Sequence, residues 1–76
     1  MLVKFLGKKL VNFNNDSGDT ISGITLYCCF QDENVDGLRA EHFFIKNGIE
    51  LPECKLNDPL EISFNMNGKV EKITKG

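Results

Sequence analysis

Few residues in this 76-residue chain could carry chemistry. His42 is the only histidine, and catalysis through it would need a nucleophile or an acid brought close in space. Cys28, Cys29 and Cys54 are the candidate nucleophiles, but no local signature surrounds any of them. Their odd number, with two adjacent, makes neither a disulfide framework nor metal-ligand spacing. Three free thiols fit a reducing cytosol. Paired carboxylates and a glycine-rich phosphate loop are also missing. The expectation is a non-enzyme with no catalytic residues, metal, cofactor or small-molecule substrate, and the chemistry left to consider is that of a binding surface.

That surface centres on Tyr27. From Ile24 the segment Ile24-Thr25-Leu26-Tyr27-Cys28-Cys29-Phe30 alternates with a period of two, as a half-buried strand does. Ile24, Leu26, Cys28 and Phe30 form an apolar face, and Thr25, Tyr27 and Cys29 form the other. A later segment holds Phe43 and Phe44 side by side, so in a regular strand one of the two faces outward, and only a bulge would bury both. Outward aromatics on a sheet can stack on nucleobases, each for about 1–3 kcal/mol. Lys8, Lys9, Arg39, Lys46, Lys69 and Lys72 are the cations that could follow a phosphate backbone beside them. The competing reading has Tyr27 and the spare phenylalanine covered by a loop or a second subunit, with the lysines as solvated edge charges that block unwanted strand pairing.

The elements that must position these residues are short and extended. Leu2 to Asn14 reads as a strand with a bend at Gly7. Asn14-Asn15-Asp16-Ser17-Gly18-Asp19 is a turn. Residues 20–31 form the second strand, Asp36-Gly37 a turn, and Leu38 to Ile45 the third strand. Residues 49–56, with Pro52, read as an irregular connection or a short turn of helix. Leu60-Glu61-Ile62-Ser63-Phe64 alternates as a fourth strand, and Lys69 to Thr74 returns as a fifth. A type I turn with Gly68 in the left-handed region would set Phe64 opposite Val70 and place two apolar residues together on the core face. Five strands with a break between the third and fourth predict a small all-β, OB-like barrel, and an SH3-like barrel has a similar count.

Size and charge bound the rest. The whole chain, residues 1–76, is one domain with a thin core. It has no apolar run of membrane-spanning length, and three lysines interrupt the apolar residues of its first ten, unlike a signal peptide. A cytoplasmic protein without membrane contact is expected. The net charge of −2 is unlike that of a dedicated duplex-DNA binder. However, most of the acids fall in loops and most of the lysines on or beside strands, which allows a basic sheet face.

The segments Gly23-Ile24-Thr25-Leu26-Tyr27, Glu41-His42-Phe43-Phe44-Ile45 and Asn65-Met66-Asn67-Gly68-Lys69-Val70-Glu71-Lys72-Ile73 resemble a group of short proteins from phages and mobile elements of Gram-positive bacteria. That group is similar in layout to the single-stranded DNA-binding proteins of filamentous phages. The resemblance covers roughly residues 7–74 and rests on short motifs. It implies an OB-like barrel that acts as a homodimer and coats single-stranded DNA without strong sequence preference in phage or plasmid replication. Tyr27 and an outward Phe43 or Phe44 would stack on bases, and Lys8, Lys9, Lys69 and Lys72 would meet phosphates. The chain departs from that pattern in carrying a single arginine, Arg39, and a negative net charge. The alternative function is a protein-interaction module of a mobile element that uses its acidic loops and holds no nucleic acid.

Overall fold

The computed structural model describes all residues, 1–76. It contains five strands and no helix: β1 (Leu2–Asn14), β2 (Thr20–Gln31), β3 (Leu38–Lys46), β4 (Pro59–Phe64) and β5 (Val70–Lys75). They form one antiparallel sheet in the order β3-β2-β1-β4-β5. No helix is long and apolar enough to cross a membrane.

The all-β, five-stranded expectation holds, and the sheet is not closed by strand pairing. β3 and β5 are its two edges, and no ladder joins them. Side chains cross this seam instead: Phe43 of β3 meets Phe64, the last residue of β4, edge to face at 5.5 Å between ring centroids. The core lies in the hollow of the sheet and consists of Val3, Phe5, Leu26, Cys28, Ile45, Leu60, Ile62, Val70 and Ile73. The period-two pattern of β2 and β4 translates directly into burial, whereas β5 buries Val70 and Ile73, three residues apart, across a break in its register with β4.

The connection from Asn47 to Asp58 is irregular and includes no helical turn. Ile49, Leu51 and Cys54 pack from it against the core, which makes it a cover for the hollow of the sheet. It then docks on β1, where Asn57 and Asp58 exchange backbone hydrogen bonds with Phe5 at 2.7 and 2.9 Å. Beyond Phe5, β1 has no neighbour on that edge.

The bend expected at Gly7 is a break in register. Phe5 opposes Cys28 and Gly7 opposes Tyr27, which leaves Leu6 unpaired. This bulge changes which side chains of β1 share a face, because a one-residue slip inverts every position after it. Lys8 thereby falls on the inner face opposite Leu26, while Lys9 falls on the outer face opposite Thr25.

Two hairpins are closed by the same five-residue turn. In Asn15-Asp16-Ser17-Gly18-Asp19, the Asn15 side-chain oxygen accepts from the Ser17 and Asp19 amides, both at 3.0 Å. In Asn65-Met66-Asn67-Gly68-Lys69, the Asn65 oxygen accepts from the Asn67 and Lys69 amides at 2.9 and 3.1 Å. The fourth residue is a glycine with φ of +82° or +77°, a left-handed conformation that costs glycine nothing. Phe64 does oppose Val70, as the type I geometry requires.

The hairpins differ in what lies beneath them. β4–β5 sits over the core, whereas the distal half of β1–β2 projects away from it as an arm. Leu10 is 78 % exposed and Phe13 51 % exposed on that arm. The molecule is correspondingly elongated, at 42 × 26 × 24 Å.

Candidate nucleic-acid interface

The register of β1, β2 and β3 assigns every side chain of the outer face. Tyr27 opposes Gly7 on one side and His42 on the other. Thr25 opposes Lys9 and Phe44, and Gly23 opposes Val11 and Lys46. Cys29 opposes Lys4 and Ala40. The open choice between the two phenylalanines is thereby decided. Phe44 faces outward and is 45 % exposed, on the same face as Tyr27 at 42 %. Phe43 turns inward, packs on the core and meets Phe64, so its candidacy as a stacking residue is corrected.

Glycine prepares the seat of Phe44. A Cβ built on Gly23 would lie 2.6 Å from Phe44 Cζ and would also collide with the Ile45 carbonyl. The ring therefore lies across bare backbone where any other residue would displace it. The Tyr27 and His42 rings stand 6.3 Å apart at a 41° tilt. Tyr27 and His42 thus form an aromatic pair over two adjacent strands, and the Phe44 ring lies on the same face over Gly23. His42 is the aromatic neighbour of Tyr27, a placement that reading it only as a potential catalyst misses. Its sharing of a face with Phe44 was the available signal.

Charge on this face is of one sign. Among the strand residues that point outward from β1, β2 and β3, the charged ones are Lys4, Lys9 and Lys46, with no carboxylate between them. A cleft of about 490 Å³ continues the face across the open edge. His42, Phe43, Phe44 and Lys46 line one side, and Asn65, Gly68, Lys69 and Val70 the other. It contains no acid, and Lys69 is brought to it by the β4–β5 turn. The eleven acids lie instead mostly in the loops, with Glu41, Glu61 and Glu71 on strands. Glu41 points inward opposite Cys28.

The remaining candidate cations are placed elsewhere. Arg39 faces inward, opposite Phe30, and its guanidinium reaches Asp32 at 3.0 Å and Glu41 at 3.1 Å. It also stands 5.7 Å from the centre of the Phe30 ring. The Asn34 amide and then Arg39 hold the Asp32 carboxyl below the usual carboxylate range. Arg39 is therefore an engaged structural cation, not part of the aromatic face. Lys8 lies on the opposite face of the sheet, close enough to Cys54 for its charge to be felt there. Lys72 opposes Ser63 on the β4–β5 hairpin and does not line the cleft.

Neither Cys28 nor Cys54 is an activated thiol. Burial, with smaller contributions from Cys29 and Glu41, pushes the Cys28 thiol up to about 11. Its hydrogen-bond partner is the Glu41 carbonyl at 3.8 Å. Burial also raises the Cys54 thiol, against the opposing influence of Lys8. Cys29 lies on the outer side but is buried, outside the main core cluster.

No family model matches this chain, and no curated protein or solved structure matches it either.

Proposed function

We infer that this protein binds single-stranded nucleic acid, without strong sequence preference, on the outer face of β1–β2–β3. The observation that carries the reading is the joint exposure of Tyr27 and Phe44 on a face whose only strand charges are lysines. Bases would stack on Tyr27 and Phe44, with the His42 ring next to Tyr27. Lys9 and Lys46 would contact phosphates on either side, and Lys69 would extend the path into the cleft. Stacking tolerates any base, because every base has a π-face. The sheet then acts as an OB-like barrel opened between β3 and β5, a layout used for such ligands. Accessory work in phage or plasmid DNA replication fits this activity.

The test is fluorescence anisotropy with oligo-dT at low salt. Binding should weaken steeply as salt rises, by about 0.7 log units of affinity per log unit of salt for each phosphate contact. Tyr27→Ala and Phe44→Ala should each lower affinity by about tenfold, within the 1–3 kcal/mol of one stacking contact. Circular dichroism should show both variants folded. No binding by the wild type at about tens of micromolar protein, the scale of nonspecific association, sinks the reading. It would favour a protein-interaction module instead.

A further inference from the structure

The cationic face ends in the cleft between β3 and the β4–β5 turn. Lys4, Lys9 and Lys46 share the outer face with no carboxylate between them, and Lys69 lines the cleft from the side opposite Lys46. Past Lys69 the sign is mixed, with Glu71 two residues further along and Glu61 opposite Thr74 on the same hairpin. A polyanion laid on this face therefore meets its last stretch of purely positive surface in the cleft.

The polar side chains that line the cleft are donors. Lys46 and Lys69 each bring an ammonium with three N–H groups and no acceptor. Asn65 is half-buried, and its oxygen is engaged by the Asn67 and Lys69 amides at 2.9 and 3.1 Å. The Asn65 amino group has no such partner, which leaves its two N–H groups for a ligand. Phe43 and Val70 supply an apolar floor, Val70 buried and Phe43 half-buried. At about 490 Å³ the space has the volume of a site for one small molecule, and a single nucleotide is of that class.

Donors on both walls discriminate by charge. A phosphodiester inside a strand carries one negative charge. A phosphate monoester at a strand end carries about 1.5 to 2, with three acceptor oxygens. The monoester alone has the charge and the oxygens to engage both ammoniums and the Asn65 amino group at once.

We propose that the cleft holds the terminal nucleotide of a strand, with its phosphate monoester between Lys46 and Lys69 and its base against Phe44. This site rests on nucleic-acid binding by the outer face and adds recognition of a phosphorylated end to it. The monoester is the ligand, whether it belongs to a 5′ or a 3′ end.

Fluorescence anisotropy with a short oligo-dT, labelled at an internal thymine, tests it. The ends carry a 5′ phosphate, a 3′ phosphate or hydroxyls only. An oligo-dT two nucleotides longer with hydroxyl ends matches the added charge without a monoester. At least one phosphorylated oligonucleotide should bind about tenfold more tightly than this control, because its extra charge sits beside two ammoniums. The end that does so gives the polarity of the strand. Lys46→Ala and Lys69→Ala should each cut this ratio of affinities to about threefold, whatever they do to binding itself. Asn65→Asp keeps an oxygen for the turn amides and puts a carboxylate in the cleft wall, so it should erase the ratio. Both lysines are exposed, and circular dichroism should show all three variants folded. Equal affinity for phosphorylated and control oligonucleotides overturns the proposal and leaves nucleic-acid binding standing. A preference undiminished in both lysine variants also overturns it, since the monoester then sits elsewhere. Failure to bind any of the oligonucleotides overturns the site and the activity together.

Discussion

The β1–β2 and β4–β5 hairpins end in the same turn, with the same asparagine oxygen accepting two amides and the same left-handed glycine. One of them crosses the core and the other leaves it. Leu60, Ile62, Val70 and Ile73 are buried in β4–β5, whereas Leu10 and Phe13 in the arm stand in solvent. Local turn chemistry therefore determines that a hairpin forms and in which register, but not whether it is buried. Burial depends on what passes beneath. The irregular connection and β3 supply Ile49, Leu51, Cys54 and Phe43 to the body, and no comparable cover reaches the tip of the arm.

The largest separation between the two hairpins should come from apolar truncation. Ile62→Ala should cost about 3 kcal/mol in urea unfolding, from lost burial and the cavity left behind. Phe13→Ala, measured at high dilution, should change stability by no more than about 0.5 kcal/mol. Equal losses at both sites would mean that the arm is packed in solution.

Alkaline pH should act on the root of β2 and spare the arm. The Cys28 thiol is raised to about 11 in the folded state from 9.0. Its contribution to stability is complete below pH 9, since both states then hold the proton. It is lost as pH rises toward 11, because the unfolded chain ionises first. The loss should reach about 2–3 kcal/mol. A Cys28→Ala variant should show a flatter stability profile over this window, and an unchanged profile would dissociate the effect from Cys28.

The smallest contrast concerns the turns themselves. Asn65→Ala should lower global stability by about 1 kcal/mol, since two amides lose their acceptor. Asn15→Ala should have less than half that effect, because fraying at an exposed tip is local and leaves the core intact. Amide exchange would show faster protons at Ser17 and Asp19 alone. Global destabilisation by Asn15→Ala would place the arm inside the cooperative unit.

Much of the fold is readable from residue order. The strands begin and end within a residue or so of the alternation and turn signals, because Gly, Asn and Asp interrupt each run. The Phe64–Val70 pairing follows from preferring the turn that sets two apolar residues opposite each other over a two-residue loop that would set Phe64 opposite Glu71. The open seam does not follow, because closure depends on whether two distant edges meet, and strand pattern carries no information on that. Nor does the choice between Phe43 and Phe44 follow from composition. It needs the register of β3 on β2 and the knowledge that β3 contains no bulge. Lys8 was misplaced for a related reason. The unpaired Leu6 inverts the faces of β1 beyond it, so two adjacent lysines end on opposite sides with Lys9 alone on the aromatic face. Arg39 looked available as the only arginine, but charge count says nothing of Asp32 and Glu41 waiting beside it.

The seam between β3 and β5 has a mechanical consequence. The β4–β5 hairpin is tied to the rest of the sheet by the short ladder from Leu2 to Lys4 on one side. On the other side it is tied through the Phe43–Phe64 ring contact. It is thus tied by hydrogen bonds along one edge only, and elsewhere by apolar packing of Leu60, Ile62, Val70 and Ile73 in the core together with the Phe43–Phe64 ring pair. Parting those rings would widen the cleft at Lys69 while leaving β1, β2 and β3 hydrogen-bonded to one another. Phe43 therefore serves both cleft and hairpin, lining the cleft on one side and holding the Phe64 ring on the other.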